Sequence, residues 1–415
     1  MQTNLSPEFK GTRDGDEAEA ILRKCVHCGF CTATCPTYQL LGDELDGPRG
    51  RIYLMKQVLE GAPVTRKTQL HLDRCLTCRN CETTCPSGVQ YGHLLDIGRR
   101  IVDERVERPA GEKSVRWLLK AGLTSPLFGP AMKTGQLLRP LLPASLKAKV
   151  PAAAGAAASR WPRREHPRKV LMLLGCVQPA MMPNVNSATA RVLDAAGIQT
   201  LVADGAGCCG AIRSHLGDHD GGLADMRANI DAWWPLVQGL TSQGQVEAIV
   251  MNASGCGVTV KEYGHALAHD AAYAEKARRV GELTKDISEL LPDMVPALQN
   301  KVRVGKNRRL AFHPPCTLQH GQQLRGGVER HLGALGFEVS LAGTESHLCC
   351  GSAGTYSVLQ PELAIQLRDR KLGHLKPLHA DTIVSANIGC IQHLQTGTTT
   401  PVRHWVEVLD EALAS

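Results

Sequence analysis

Aromatic residues make up only 4% of the chain, which argues against a single-stranded nucleic-acid platform, because such surfaces stack bases on aromatic faces. The net charge of +7 is too mild to change that reading. No uninterrupted apolar run approaches about 18 residues, so no transmembrane helix is expected and any membrane contact should be peripheral. The opening Met1-Gln-Thr-Asn-Leu-Ser-Pro-Glu8 has no basic stretch followed by an apolar one. That pattern speaks against a secretory signal and for the reducing cytoplasm, where disulfide staples are disfavoured. No Ser-His-Asp or paired-carboxylate arrangement stands out, and there is no convincing Gly-rich strand–turn–helix fingerprint for a dinucleotide. What the chain has in excess is cysteine, 16 in 415 residues. In a reducing compartment that count points to metal binding or redox chemistry.

The cysteines fall into two groups, eight from Cys25 to Cys85 and eight from Cys176 to Cys390. Between them Pro140, Pro143 and Pro151 lead into the alanine-rich 152–158 and the basic stretch Arg160 to Lys169, which reads as a linker. Before it, 16–24, 48–61 and 70–74 carry helix-forming residues with spaced apolar positions, and Pro48 stands where a helix can begin. After it, short apolar runs at 169–174, 199–203, 246–251, 309–312, 338–341 and 381–385 alternate with helical stretches such as 188–196, which predicts parallel sheets covered by helices. The expected fold class is a multidomain α+β chain. An α-helical ferredoxin-like domain over 14–110 and a connector over 111–168 precede two α/β copies, 169–300 and 301–415.

Cys25-Val-His-Cys28-Gly-Phe-Cys31-Thr-Ala-Thr-Cys35-Pro36 has the spacing C-x2-C-x2-C-x3-C-P, and Cys75, Cys78, Cys81, Cys85 and Pro86 repeat it with every cysteine displaced by 50 residues. Three closely spaced thiolates can hold three corners of a cuboidal cluster, while the fourth, beyond a turn and before proline, serves the other cluster. The expected sets are Cys25, Cys28, Cys31 and Cys85 for one [4Fe–4S] centre, and Cys75, Cys78, Cys81 and Cys35 for the second. Small residues such as Gly29, Thr32 and Thr77 should let backbone N–H groups approach the sulfurs. Paired zinc sites are the bland alternative, but zinc needs neither the third closely spaced cysteine nor the trailing Cys-Pro.

The second group is an internal repeat. Cys176, then Cys208-Cys209-Gly210, then Cys256 recur as Cys316, Cys349-Cys350-Gly351 and Cys390, at offsets of 140, 141 and 134 residues. Most of these cysteines follow an expected strand, and the carboxyl ends of parallel strands lie on one edge, where ligands bind. Each copy is therefore expected to bring four thiols together. A further iron–sulfur centre, redox chemistry by the vicinal pair, and plain packing of small apolar residues all remain open. Cys316, Cys349, Cys350 and Cys390 are the stronger candidates for a third centre; Cys176, Cys208, Cys209 and Cys256 are the weaker.

With the segment Gly47-Pro-Arg-Gly-Arg-Ile52 and the residues between the cysteines, the chain from about residue 20 onward closely resembles the glycolate oxidase (glycolate dehydrogenase) iron–sulfur subunit family. The cysteine spacing alone is shared with iron–sulfur subunits of anaerobic glycerol-3-phosphate dehydrogenase, lactate-utilisation proteins and heterodisulfide reductases. The resemblance implies a heteromeric oxidoreductase acting on a CH–OH group, whose FAD-binding subunits oxidise glycolate to glyoxylate. This chain would take up the electrons and pass them towards a quinone or other respiratory-chain acceptor. It would contribute no catalytic residue and bind no flavin itself, and it would work in the cytoplasm or at the inner face of the cell membrane.

Service to a D-lactate or glycerol-3-phosphate dehydrogenase is an alternative, as is a thiol or disulfide reductase of heterodisulfide reductase type. The latter pattern ends in C-x2-C, whereas here Cys256-Gly-Val-Thr259 and Cys390-Ile-Gln-His393 lack the fifth cysteine. His313 and His393 flank the second copy, where a core or surface histidine is the commoner outcome. The basic 160–169 and the apolar 115–142 are weighed as a lipid or partner contact against a solvated linker and a packed helical hairpin, with the latter favoured. Trp233-Trp234-Pro235 reads as core.

Overall fold

The computed structural model describes residues 1–143, 147, 150–153, 155–305 and 308–414. Part of the expected linker, at 144–146, 148–149 and 154, lies outside the described residues. The chain divides into two compact units, 1–117 with 347–371, and 118–346 with 372–415.

The first unit is built on helices Arg13–Lys24, Pro48–Leu59, Arg66–Asp73 and Tyr91–Arg105. Their apolar faces, among them Ile21, Leu22, Met55, Leu59, Leu94 and Leu95, close one core. Thr12 opens the first helix by accepting from the N–H of Gly15 at 3.1 Å, and Thr65 opens the third by accepting from the N–H of Thr68 at 3.2 Å. The helix Tyr91–Arg105 is not among the sequence expectations, although Leu94, Leu95, Ile97, Ile101 and Val102 give it a buried helical stripe.

The second unit holds two four-stranded sheets. Strands β1 (Arg168–Met172), β2 (Ile198–Leu201), β3 (Ala248–Met251) and β4 (Thr284–Asp286) lie in the order β2-β1-β3-β4. Strands β5 (Arg309–Phe312), β6 (Glu338–Leu341), β7 (Thr382–Ser385) and β8 (Val402–His404) repeat it as β6-β5-β7-β8. Every pairing is parallel. The six apolar runs found in the sequence became the six strands β1–β3 and β5–β7; β4 and β8 are three-residue edge strands whose residues alternate between buried and less buried, so they leave no apolar run to find. Val170, Val250, Leu310, Val384 and Trp405 belong to one continuous core, so the two copies are packed together. Arg191 joined to Asp410 at 2.7 Å and Asn184 to Glu407 at 2.8 Å tie the helices Pro183–Ala195 and Trp405–Ala414. Trp233 is fully buried, with its ring 6.4 Å from that of Tyr263.

The connector departs from a packed hairpin. The helix Ala110–Leu123 has no buried residue, and Trp117, Leu118, Leu127, Leu137 and Leu141 are exposed. The end of the linker is instead docked, because Arg191 donates to the carbonyls of Ala157 and Arg160 and His166 pairs with Asp194 at 2.8 Å.

Candidate functional site

The two ferredoxin-type loops share one backbone. His27 and Gly29 have φ of 55° and 85°, and Thr77 and Arg79, 50 residues on, have 53° and 58°. Left-handed conformations outside glycine are costly and persist only where the surroundings impose them. Turns of this kind can aim backbone N–H groups at an anionic group. The N–H of Thr77 donates to the Cys75 sulfur at 3.4 Å. Cys35 then caps the helix Pro36–Leu41, so the residue after it begins a new direction.

Two cavities lie beside these loops. The first is lined by Cys25, Cys28, Cys31 and Cys85, with Cys81 at its wall. The second is lined by Cys35, Cys75, Cys78 and Cys81. Pro48, Cys81 and Tyr91 border both. Each cavity thus meets three cysteines of one motif and the last cysteine of the other. Burial pushes the Cys31 thiol up to about 11 and raises the Cys81 thiol well above its ordinary value, helped by Cys78 and Cys75. Four thiols crowded round a void hold their ionised form only with a compensating metal charge among them, and four thiolates with inward N–H donors are the donor set that an iron–sulfur cluster takes.

The surroundings of the second loop went unnoticed in the sequence. Arg99 donates to the carbonyls of Leu72 and Cys75 at 2.8 and 2.7 Å and to Thr77 Oγ1 at 3.1 Å, and the Tyr91 hydroxyl lies 3.6 Å from the Cys75 sulfur. Asn80 links the motifs by donating to the Thr34 carbonyl at 3.0 Å. The segment 347–371, which carries Cys349 and Cys350, belongs to this same unit. The Tyr356 hydroxyl donates to the Arg74 carbonyl at 3.2 Å, next to Cys75.

In the other unit, Cys176 follows β1 and Cys256 sits in the first turn of the helix Ser254–Lys261 after β3. With strand order β2-β1-β3-β4, the chain leaves β1 and β3 in opposite directions, and the crevice between them is where open parallel sheets bind ligands. The loop after β2 brings in Cys208 and Cys209. The neighbouring Cys176 and Cys209 hold Cys208 below the usual thiol range and are themselves pushed up, Cys209 with a further contribution from Cys256. The thiols of the first copy are therefore neighbours in the succession Cys176, Cys208, Cys209 and Cys256. Asn229 fixes the loop, donating to the Cys208 carbonyl at 2.6 Å and to the Tyr263 hydroxyl at 3.0 Å, and accepting from the N–H of Gly207 at 2.8 Å.

The second copy repeats the local geometry. Gly210 and Gly351 have φ of 93° and 88°, and each donates its N–H to the sulfur two residues back at 3.4 Å. A Cβ at Gly210 would stand 2.7 Å from the Gly222 carbonyl oxygen and one at Gly351 2.5 Å from that of Ala364. The glycine of each Cys-Cys-Gly is thus required twice over, by conformation and by space. Cys316 follows β5, and Cys390 lies in the first turn of the helix Ile388–Gln395 after β7, within 4.8 Å of a ring nitrogen of His313. His393 is buried, on that same helix.

Known proteins bear the same marks. Residues 21–89 match the model of the 4Fe-4S dicluster domain, and 170–261 and 310–395 match that of the cysteine-rich domain. The glycolate oxidase iron-sulfur subunit of Escherichia coli (strain K12) is 55% identical over 414 residues, covering 100% of this chain and 99% of the relative. The chain belongs to the glycolate oxidase iron–sulfur subunit family. The probable glycolate oxidase iron-sulfur subunit of Bacillus subtilis (strain 168) is 30% identical over 95% of this chain and 92% of its own length. Lactate utilization protein A of Bacillus licheniformis is 24% identical over 58% of this chain and 99% of its own. The dicluster and cysteine-rich domains make this an iron–sulfur protein of an oxidoreductase family. No helix among the described residues is long and apolar enough to cross a membrane.

Proposed function

We propose that this chain is the electron-transfer subunit of a heteromeric enzyme that oxidises glycolate to glyoxylate on FAD-bearing partner subunits, and that it delivers the electrons towards a quinone. The observation that carries this reading is the pair of adjoining cavities, each lined by one of the two crosswise cysteine sets. Cys25, Cys28, Cys31 and Cys85 hold one [4Fe–4S] group and Cys75, Cys78, Cys81 and Cys35 the other. A group of this kind supplies one-electron redox chemistry without moving a proton. The chain's own part is to hold the thiolates, turn N–H groups towards them through the left-handed residues, and keep the two sites neighbours across the wall of Pro48, Cys81 and Tyr91.

The Cys-Cys-Gly copies are the candidates for a further centre in this reading. Cys316, Cys349, Cys350 and Cys390 are one set; Cys176, Cys208, Cys209 and Cys256, which influence one another in neighbouring pairs, are the other. The exposed Trp117, Leu118, Leu127, Leu137 and Leu141 support a peripheral contact with the inner face of the membrane.

The test is to purify the chain anaerobically, count iron, acid-labile sulfide and zinc, and mix it with the flavin-bearing partner and glycolate. About eight irons with matching sulfide are expected from the two crosswise sites, and about twelve if a Cys-Cys-Gly copy is filled. Reduction by glycolate should require the partner. Zinc without sulfide, or turnover of a disulfide by the isolated chain, would overturn the proposal.

A further inference from the structure

The segment Gly47-Pro-Arg-Gly-Arg51 contains no metal ligand, yet it stands between the two cavities. Pro48 is the first residue of the helix Pro48–Leu59 and lines both; Arg49 lines the first cavity and Arg51 the second. Residues two apart on a helix point in nearly opposite directions, so one helix start serves both sites with an arginine each. A Cβ at Gly50 would fall 2.1 Å from the Glu44 carbonyl oxygen, so glycine lets the helix start sit this close to the preceding loop.

The two arginines are held differently. Arg49 is 36% exposed and doubly bonded to Glu44 at 2.6 and 3.1 Å. Its charge is screened by water and cancelled by its partner. Arg51 is 0% exposed. Its Nε donates to the His71 carbonyl at 2.7 Å and its other nitrogens to Thr37 Oγ1 at 3.1 and 3.2 Å. The carboxylate paired with it, Asp46, is 3.5 Å away and is shared with Arg74 at 2.8 Å and His71 Nδ1 at 3.0 Å. Thr37 Oγ1 is itself 3.3 Å from the Cys35 sulfur, so a single hydroxyl separates the guanidinium from a thiol of the second set.

We propose that Arg51 sets the two metal centres apart in potential, holding the centre of the Cys35, Cys75, Cys78 and Cys81 cavity above its neighbour, so that an electron entering the chain comes to rest there. This rests on the reading of the two cavities as [4Fe–4S] sites. One electron from the donor, taken up with no proton, adds one negative charge among the four thiolates. A buried cation favours the more negative state, and does so far more strongly out of water than in it.

The full chain, purified anaerobically with iron and sulfide counted, is titrated against redox mediators and followed by EPR. Arg51→Gln should keep the iron content and lower one potential only, that of the signal lost in Cys78→Ser. Asp46→Asn should raise the same potential, Arg51→Lys should hold it near the parent value, and Arg49→Gln should leave it unchanged. Unchanged potentials in Arg51→Gln, or equal shifts of both centres, would overturn the assignment. Should Arg51→Gln lose iron, Asp46→Asn decides alone, and a fall or no change in that potential overturns it. A parent chain without iron and sulfide would sink the cavity reading first, a result separable from any Arg51 effect.

Discussion

The two ferredoxin-type loops have the same spacing and the same left-handed residues, but opposite surroundings. Around the first, Val26 is 68% and Phe30 60% exposed, and Cys28 is open to solvent. Around the second, the matching Leu76 and Asn80 are buried at 6% and 3%, Cys81 is buried, and Arg99, Tyr91 and Arg51 supply the packing. The two copies of the motif share their backbone turns but not their surroundings, one with exposed apolar neighbours and one packed beside the Cys349-bearing segment. Environment as well as ligand identity sets the potential of a metal centre, so on the proposed reading two like motifs would form a graded route.

The largest effect that could break this comparison is loss of a centre. Cys28→Ser and Cys78→Ser should each remove roughly four irons per chain, but different EPR signals; loss of the same signal in both would show that the loops do not serve separate sites. Next come the glycines. Gly351→Ala meets both a positive φ and the Ala364 carbonyl, whereas Gly175, with φ of 80°, has open space around it. Thermal unfolding should show a loss of about 3 kcal/mol at Gly351 and about 1 kcal/mol at Gly175. Equal losses would mean that crowding at the Cys-Cys-Gly turn is not what demands glycine. Asn229→Ala leaves the Gly207 N–H and the Cys208 carbonyl without their partner and should cost about 2 kcal/mol in denaturant unfolding.

A pH-dependent effect separates the two sheets. Asp286 and His404 hold equivalent final positions in β4 and β8, paired with Met251 and Ser385. Burial pushes Asp286 up to about 6 and His404 down to about 3. The Asp286 contribution is therefore whole below its ordinary value of 3.8 and declines as pH rises towards about 6. That of His404 is whole above 6.5 and declines as pH falls towards about 3. Between about pH 4 and 6 the slopes oppose, each about 1.4 kcal/mol per pH unit at most. Asp286→Asn should gain stability relative to the parent as pH rises through that window, read from urea midpoints; a difference independent of pH would show that Asp286 titrates normally.

Much of this molecule was legible because its patterns are local. The 50-residue displacement of one cysteine motif and the doubled Cys-Cys-Gly announce an iron–sulfur chain and its duplicated sheets, and the residues between the cysteines carry the family. Strands β4 and β8 were not legible, since three residues ending in Asp286 and His404 carry no apolar run. Nor were Arg51, Arg99 and Asn229, because a buried polar side chain is recognised by partners distant in sequence. The grouping of 347–371 with the N-terminal helices is of the same kind: the Tyr356 and Arg74 that meet there are 282 residues apart. The exposed leucines of the connector were visible, but their composition alone could not distinguish a packed hairpin from an open face.

The crosswise assignment of the fourth cysteines is tested most directly by EPR of the dithionite-reduced chain carrying Cys85→Ser. The account predicts that this variant loses the same signal as Cys28→Ser and keeps the one that Cys78→Ser removes. Loss of the Cys78→Ser signal instead would place each fourth cysteine with its own motif and contradict the account.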